Sequence, residues 1–306
     1  MAAGIARIIG RSPPALNYAG GNWRQAPHGL CSRHSMATRA SVPASAFGAL
    51  LRDWRQRRRL SQLALALEAD ISQRHLSFVE SGRAQPSREL VLHLAEQLGV
   101  PLRDQNKLLL AAGYAPVFHE RPLGDPALDT VRAAVERVLE GHEPYPAIAV
   151  DRHWTLLAAN RVVGPLLGGA SPALLEPPVN VLRLSLHPDG LAPRIVNLPQ
   201  WRVHLLERLR RQVEVSGDPI LEALLGELRG YPSPPARERS APVARSVELA
   251  DNGVFIPFQL ATDGGVLSFI STTTVFGTPV DVTVSELALE CFFPADDFTS
   301  ARLRGR

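Results

Sequence analysis

The sequence predicts an α+β protein: an all-α unit of five helices over residues 47–114, then antiparallel strands with flanking helices over residues 115–303. Three observations predict it. Between Phe47 and Tyr114 apolar residues recur at helical spacing, and serines stand where three of the helices start. Beyond Tyr114, short stretches of strand-forming residues are separated by turn residues. Between the two halves Pro116, Pro122 and Pro126 mark a linker.

Taken in order, Phe47, Leu50, Leu51 and Trp54 line one face of a first helix. Ser61 starts a second, with Leu63, Ala64 and Leu67 apolar, and Ser72 a third, with Leu76 and Val79 inward. Ser87 starts a fourth, with Leu90, Val91, Leu94, Ala95 and Leu98 inward, and Gly99 ends it. A fifth spans residues 102–112 and stops at Gly113. Serine caps free amides at a helix start, and glycine accepts the left-handed turn at its end.

Residues 129–140 predict a linking helix. Residues 147–150 and 155–158 predict strands around a polar turn at 151–153. Helices follow at 160–167, 199–215 and 219–228, then a proline-rich loop at 231–242. Strands at 254–261 and 266–273 flank the turn Asp263-Gly264-Gly265. In the last strand Leu287, Leu289, Cys291 and Phe293 share one face, with Glu286, Ala288 and Glu290 on the other.

Composition narrows the function. Among 306 residues no apolar run is long enough to span a bilayer, so no membrane partner is expected. The formal charge of +3 does not by itself point to nucleic acid. The cations are almost all arginine, with Lys107 the only lysine, a usage that fits a GC-rich bacterial genome. Cys31 and Cys291 are too few for a disulfide framework, which fits a cytoplasmic protein. Residues 1–46 lack any period and predict a disordered leader, within which Met36 offers an alternative start. His28, Cys31 and His34 have metal-like spacing but no fourth ligand nearby, so no metal is expected. The helical half has no glycine-rich phosphate loop, and Ser185, His187 and Asp189 come without a nucleophile elbow. No catalytic residue, no cofactor and no enzyme activity are expected.

The stretch from Leu60 to Arg83 carries the functional signal. Two helices meet at a tight turn near 69–71, with the small Ala66 at their contact and Ile71, Leu76 and Val79 plugging the interior. Gln73, Arg74, Ser77 and Phe78 are left on the outer face of the third helix. Long polar side chains on one helix face suit a major groove, where arginine pairs with guanine and glutamine with adenine. Gln62 and the capped helix starts are placed to meet phosphates. The candidate DNA contacts are Gln62, Ser72, Gln73, Arg74, His75, Ser77, Phe78 and Arg83, with double-stranded operator DNA as partner. His75 can instead pack or cap, and Phe78 can close the core. Glu80 reads as bonding local backbone before Gly82. Arg52, Arg55, Arg57, Arg58 and Arg59 read as a phosphate-binding rim, or otherwise as a solvated face.

The strings Leu-Ser-Gln at 60–62, Ser-Gln-Arg-His-Leu-Ser at 72–77 and Glu-Ser-Gly-Arg-Ala-Gln-Pro-Ser at 80–87 resemble the phage-repressor-like (XRE) helix-turn-helix family. One departure is Asp70, where the family has glycine in the turn; aspartate tolerates the left-handed conformation better than most residues. The second half is similar to the MmyB-like ligand-binding domain. The likeness rests on Asp-Arg-His-Trp at 151–154, Asn-Val-Leu-Arg-Leu at 180–184 and His-Pro-Asp-Gly-Leu at 187–191, on Trp201 with Arg208, and on Thr-Val-Phe-Gly-Thr-Pro at 274–279. That resemblance implies a PAS-like sheet flanked by helices and an effector pocket, with a fatty acid as candidate ligand. Such a pocket needs apolar walls and a polar anchor. Phe255, Phe258, Leu260, Phe269 and Ile270 from strands and Leu166 and Leu205 from helices are candidate walls, and Arg194 or Arg208 a candidate carboxylate anchor. A homodimer is expected, because two recognition helices about 34 Å apart match one duplex turn. The sensor half, or Leu108, Leu109 and Leu110 of the fifth helix, would supply the interface. The alternative is a second half that serves only for oligomerisation or a protein partner.

Overall fold

A computed structural model describes residues 45–232 and 255–305. The leader, the His28–Cys31–His34 set and most of the proline-rich loop lie outside the described residues.

Five helices form the first half: α1 (Ser45–Arg57), α2 (Gln62–Glu68), α3 (Gln73–Glu80), α4 (Arg88–Gln97) and α5 (Leu102–Ala111). The serine caps behave as expected. Ser61, Ser72 and Ser87 accept from the amides of Ala64, His75 and Leu90. Asp70 takes φ 49° in the turn between α2 and α3, and its successor Ile71 donates to the carbonyl of Ala66. Phe47, Leu51, Leu65, Leu76, Leu94 and Leu108 form the sealed centre of this unit. Gly48 lets α1 lie directly on α3: a Cβ there would sit 2.2 Å from the carbonyl oxygen of Glu80.

The face of α2 corrects the expectation. Leu65, Ala66 and Ala69 point inward, while Leu63 and Leu67 are 52% and 72% exposed. Leu63, Leu65 and Leu67 alternate every second residue, so helical geometry cannot bury all three.

Helix α6 (Asp129–Gly141) leads into a five-stranded sheet with order β2-β1-β5-β4-β3 and antiparallel pairing throughout. Its strands are β1 (Ala147–Val150), β2 (Leu156–Ala159), β3 (Phe258–Thr262), β4 (Gly265–Val275) and β5 (Ala288–Pro294). Between β2 and β3 run α7 (Val163–Leu166), α8 (Val181–Leu186), α9 (Leu198–Ser216) and α10 (Pro219–Gly230). The short α11 (Val282–Ser285) precedes β5, and α12 (Asp297–Leu303) follows it.

Both faces of this sheet are covered. Ala147, Ala149, Leu289 and Cys291 pack with Val135 and Leu139 of α6. Ile148, Val150, Phe258, Leu260 and Phe292 face the cluster built around Leu205 and Leu209 of α9. The predicted alternation of β5 therefore holds, but its Ala288–Glu290–Phe292 side faces α9 rather than solvent. Burial and the nearby charge of Glu290 raise the pKa of the Cys291 thiol above its ordinary value.

The halves touch through ionic contacts. Arg103 of α5 forms a bidentate pair with Glu286, at 2.7 and 2.9 Å, and also meets Glu120. Hydrogen bonding to Glu286 raises the Arg103 pKa. At the end of α9, Gly217 has φ 62° and lies under the guanidinium of Arg57 of α1, and Arg58 reaches the carbonyl of Val215. No helix among the described residues is long and apolar enough to cross a membrane.

Candidate functional site

The third helix presents the candidate DNA surface. Ser72, Gln73 and Arg74 are exposed, and His75, Ser77 and Phe78 are half-buried. Leu76 and Val79 fix the opposite side of α3 in the core. The Arg74 guanidinium lies 5.3 Å from the Phe78 ring centre and that of Arg83 lies 6.0 Å from it, so the ring organises two cations on one edge. Ser72 spends its oxygen on the cap, and His75 supplies the amide that it caps.

Gln62 and Glu80 are placed otherwise than their expected roles. Glu80 does not bond local backbone. It is buried, receives Nε and Nη2 of Arg55 at 2.7 and 3.0 Å, and is joined by Gln62 at 2.8 Å and Arg52 at 3.4 Å. Burial opposes its charge, yet the hydrogen bonds from Arg55 and Gln62 and the Arg55 charge outweigh it and hold the carboxyl below its ordinary value. The amide of Gln62 is thus turned into the domain.

The expected arginine rim is largely structural. Arg55 is buried on Glu80, Arg57 pairs with Asp53 at 2.6 Å, and Arg58 donates to the carbonyls of Leu98 and Gly99 at 2.7 and 2.9 Å. Burial and then Arg57 lower the Arg58 pKa. A buried carboxylate and the open carbonyls at the end of α4 attract these cations inward. The fifth helix corrects likewise: Leu108 and Leu109 are core, and only Leu110 is exposed.

In the second half, a cavity of about 120 Å³ lies between α8, α9 and the sheet. Leu166, Leu205, Phe258, Leu260 and Phe269, all expected walls, line it, together with Trp154, Leu182 and Trp201, which were not expected as walls. Phe255 and Ile270 are not among the lining residues: Phe255 precedes β3, and Ile270 pairs with Phe293 on the sheet's other face.

The two candidate anchors separate. Arg194 is a brace, not a wall: its guanidinium donates to the carbonyls of Ala261 at 3.1 Å and Leu166 at 2.9 Å, and to that of Gly168. Those contacts hold α7 against β3. Arg208 does line the cavity, stacked 4.5 Å from the Trp154 ring centre. It is not free, however. Its Nη2 and Nη1 meet Glu290 at 2.5 and 3.1 Å, and Nη2 also donates to Thr273 at 2.7 Å. Thr273 in turn donates to Glu290 at 2.9 Å. Trp154 is held edge-on by Gln212, which donates its own amide to the carbonyl of Arg152.

Sequence reading missed Glu290. Its signal was present as an acid within a strand of mostly apolar residues, but its partner Arg208 lies 82 residues away in sequence. Asp151, an expected turn residue, accepts from the amides of His153 and Thr155. No group of three or more metal-binding side chains occurs among the described residues.

A family model described as "MmyB-like transcription regulator ligand binding domain" matches residues 131–305, and one described as "Helix-turn-helix" matches residues 51–105. Two crystal structures of the clp gene regulator ClgR from Corynebacterium glutamicum are similar to part of the chain. One is 31% identical over 23% of this chain and 87% of that chain. The other is 30% identical over 33% of this chain and 94% of that chain, and both have a TM-score of 0.21. No curated protein matches. The helical half is a helix-turn-helix of a DNA-binding regulator, and the matched families are those of regulators rather than enzymes. With more than half of its residues matched by the ligand-binding model and a helix-turn-helix ahead of it, the chain belongs to the MmyB-like transcription regulators.

Proposed function

We propose that this regulator binds its operator as a homodimer through the exposed side of α3 and answers to a small apolar effector of the fatty-acyl kind held between α9 and the sheet. The observation that carries the DNA reading is the exposed pair Gln73 and Arg74 beside the capped start of α3. Both side chains offer two-pronged hydrogen bonding to purine edges. Arg74 and Arg83, spread on the Phe78 ring, add charge along the same edge. Ser72, His75 and Ser77 contribute contacts at the helix start, and Gln62 supports them from within. Residues 47–114 act as the DNA unit and 115–303 as the sensor, working in the cytoplasm on the nucleoid.

The effector reading rests on the apolar cavity. Apolar cavities of about 150 Å³ take up benzene, so a space of about 120 Å³ suits a short acyl chain. A longer fatty acid requires the walls to part. Occupancy would shift the balance between dimer geometries and so operator affinity.

Selection of bound fragments from randomised duplex DNA, followed by anisotropy titration of the full chain at several salt concentrations, tests the DNA reading. A single enriched half-site, repeated at one-turn spacing and bound in a salt-sensitive way, is expected. Absence of salt-sensitive affinity for any duplex overturns it. Native mass spectrometry of the purified full chain tests the effector reading, with an adduct of lipid-like mass expected.

A further inference from the structure

The chemistry of the effector's head group follows from how Arg208 is already engaged. Among the described residues lining the cavity, Arg208 is the only cation and Glu290 the only anion. The two form a bidentate pair, closed into a ring by Thr273. The Glu290 side chain is 5% exposed, so its charge has Arg208 and Thr273 in place of water. The face of Trp154 covers the guanidinium. The polar end of the cavity is therefore electrically balanced before anything enters.

An ionised carboxylate reaching Arg208 would place a second negative charge beside the buried carboxylate of Glu290. Two carboxylates sharing one cation disfavour the charged form of at least one of them. An uncharged hydroxyl or amide meets no such penalty. It can donate to lone pairs of Glu290 left over from the ion pair, and it can exchange hydrogen bonds with Ser185 and Ser271, which line the same space. We propose that the cavity selects apolar molecules with an uncharged polar end, such as an alcohol or primary amide, over the carboxylate of the same chain length. Glu290 is the residue that sets this preference. The proposal rests on the reading of this cavity as the effector site.

The test uses the full chain at neutral pH with hexanol, hexanamide and sodium hexanoate as probes, read by calorimetry and by quenching of tryptophan emission. Hexanol and hexanamide are expected to bind at least about tenfold more tightly than hexanoate. In Glu290→Gln, which keeps shape but removes the charge, hexanoate is expected to gain at least about tenfold and overtake the neutral probes. Hexanoate binding the natural chain as tightly as hexanol overturns the proposal while leaving the effector cavity standing. So does an unchanged ranking in a folded Glu290→Gln variant. Should that variant fail to fold, the ranking in the natural chain decides alone. If none of the three probes binds, the cavity reading itself falls, and the proposal with it.

Discussion

Each half of this regulator buries a glutamate against an arginine, and the surroundings give the two pairs different work. Arg55–Glu80 sits inside the packed helical unit, where Gln62 and Arg52 fill the carboxylate's remaining positions. Arg208–Glu290 sits at the edge of an apolar space, with one partner on a helix and the other on a strand. The first pair ties α1 to α3. The second closes the polar end of a cavity. An ion pair is thus read by what lies beside it: solid core makes it a fastener, and open space makes it a filter.

The largest effect expected is on the fastener. Glu80→Ala leaves the buried Arg55 with the Leu60 carbonyl but no counter-charge, and should cost about 3–5 kcal/mol of stability, measured by urea unfolding of the full chain. The same pair should leave a signature in acid. Its folded-state pKa lies below the unfolded one, so the stabilisation is complete above the ordinary glutamate value near 4.3 and is lost as pH falls through the lower folded value. Glu80→Gln should lack that part of the acid transition. A smaller cost, about 1.5–3 kcal/mol, is expected for Glu290→Ala, because Arg208 retains the Trp154 face and some solvent. Equal costs for the two alanine variants would erase the contrast.

On the DNA side, Arg74→Ala should weaken operator binding by about 1–3 kcal/mol and relax preference at one base. Uniform loss over all duplexes would make Arg74 a phosphate contact instead. The smallest effect is expected from replacing Arg57 and Arg58 with alanine. Their engagement with Asp53 and with the carbonyls of Leu98 and Gly99 predicts an unchanged salt slope. A slope smaller by about one unit per residue would return them to the DNA footprint.

The helical half was legible because its signals are local. A serine three residues before the amide it caps, and an aspartate able to adopt φ 49°, announce themselves within one turn of chain. The face of α2 was not legible, since leucines at every second position carry no helical phase. The destinations of Arg55 and Arg58 were hidden for a different reason. Glu80 and Leu98 lie 25 and 40 residues away, and no spacing rule links such partners. In the sensor half Phe258, Leu260 and Phe269 were readable as apolar strand residues. The choice between Arg194 and Arg208 was not, because it depends on which carbonyls and which acid the fold brings near. Glu290 was overlooked because its partner Arg208 lies 82 residues away on a helix of the other layer.

Helix α9 runs unbroken for 19 residues, about 28 Å at the standard rise. Trp201, Leu205 and Arg208 touch the cavity near its middle, and Val215 and Gly217 meet the arginines of α1 at its far end. The two ends belong to one stiff rod with no joint between them. A tilt of that rod by a few degrees at the cavity becomes a sideways step of about an ångström where it meets α1 of the helical half.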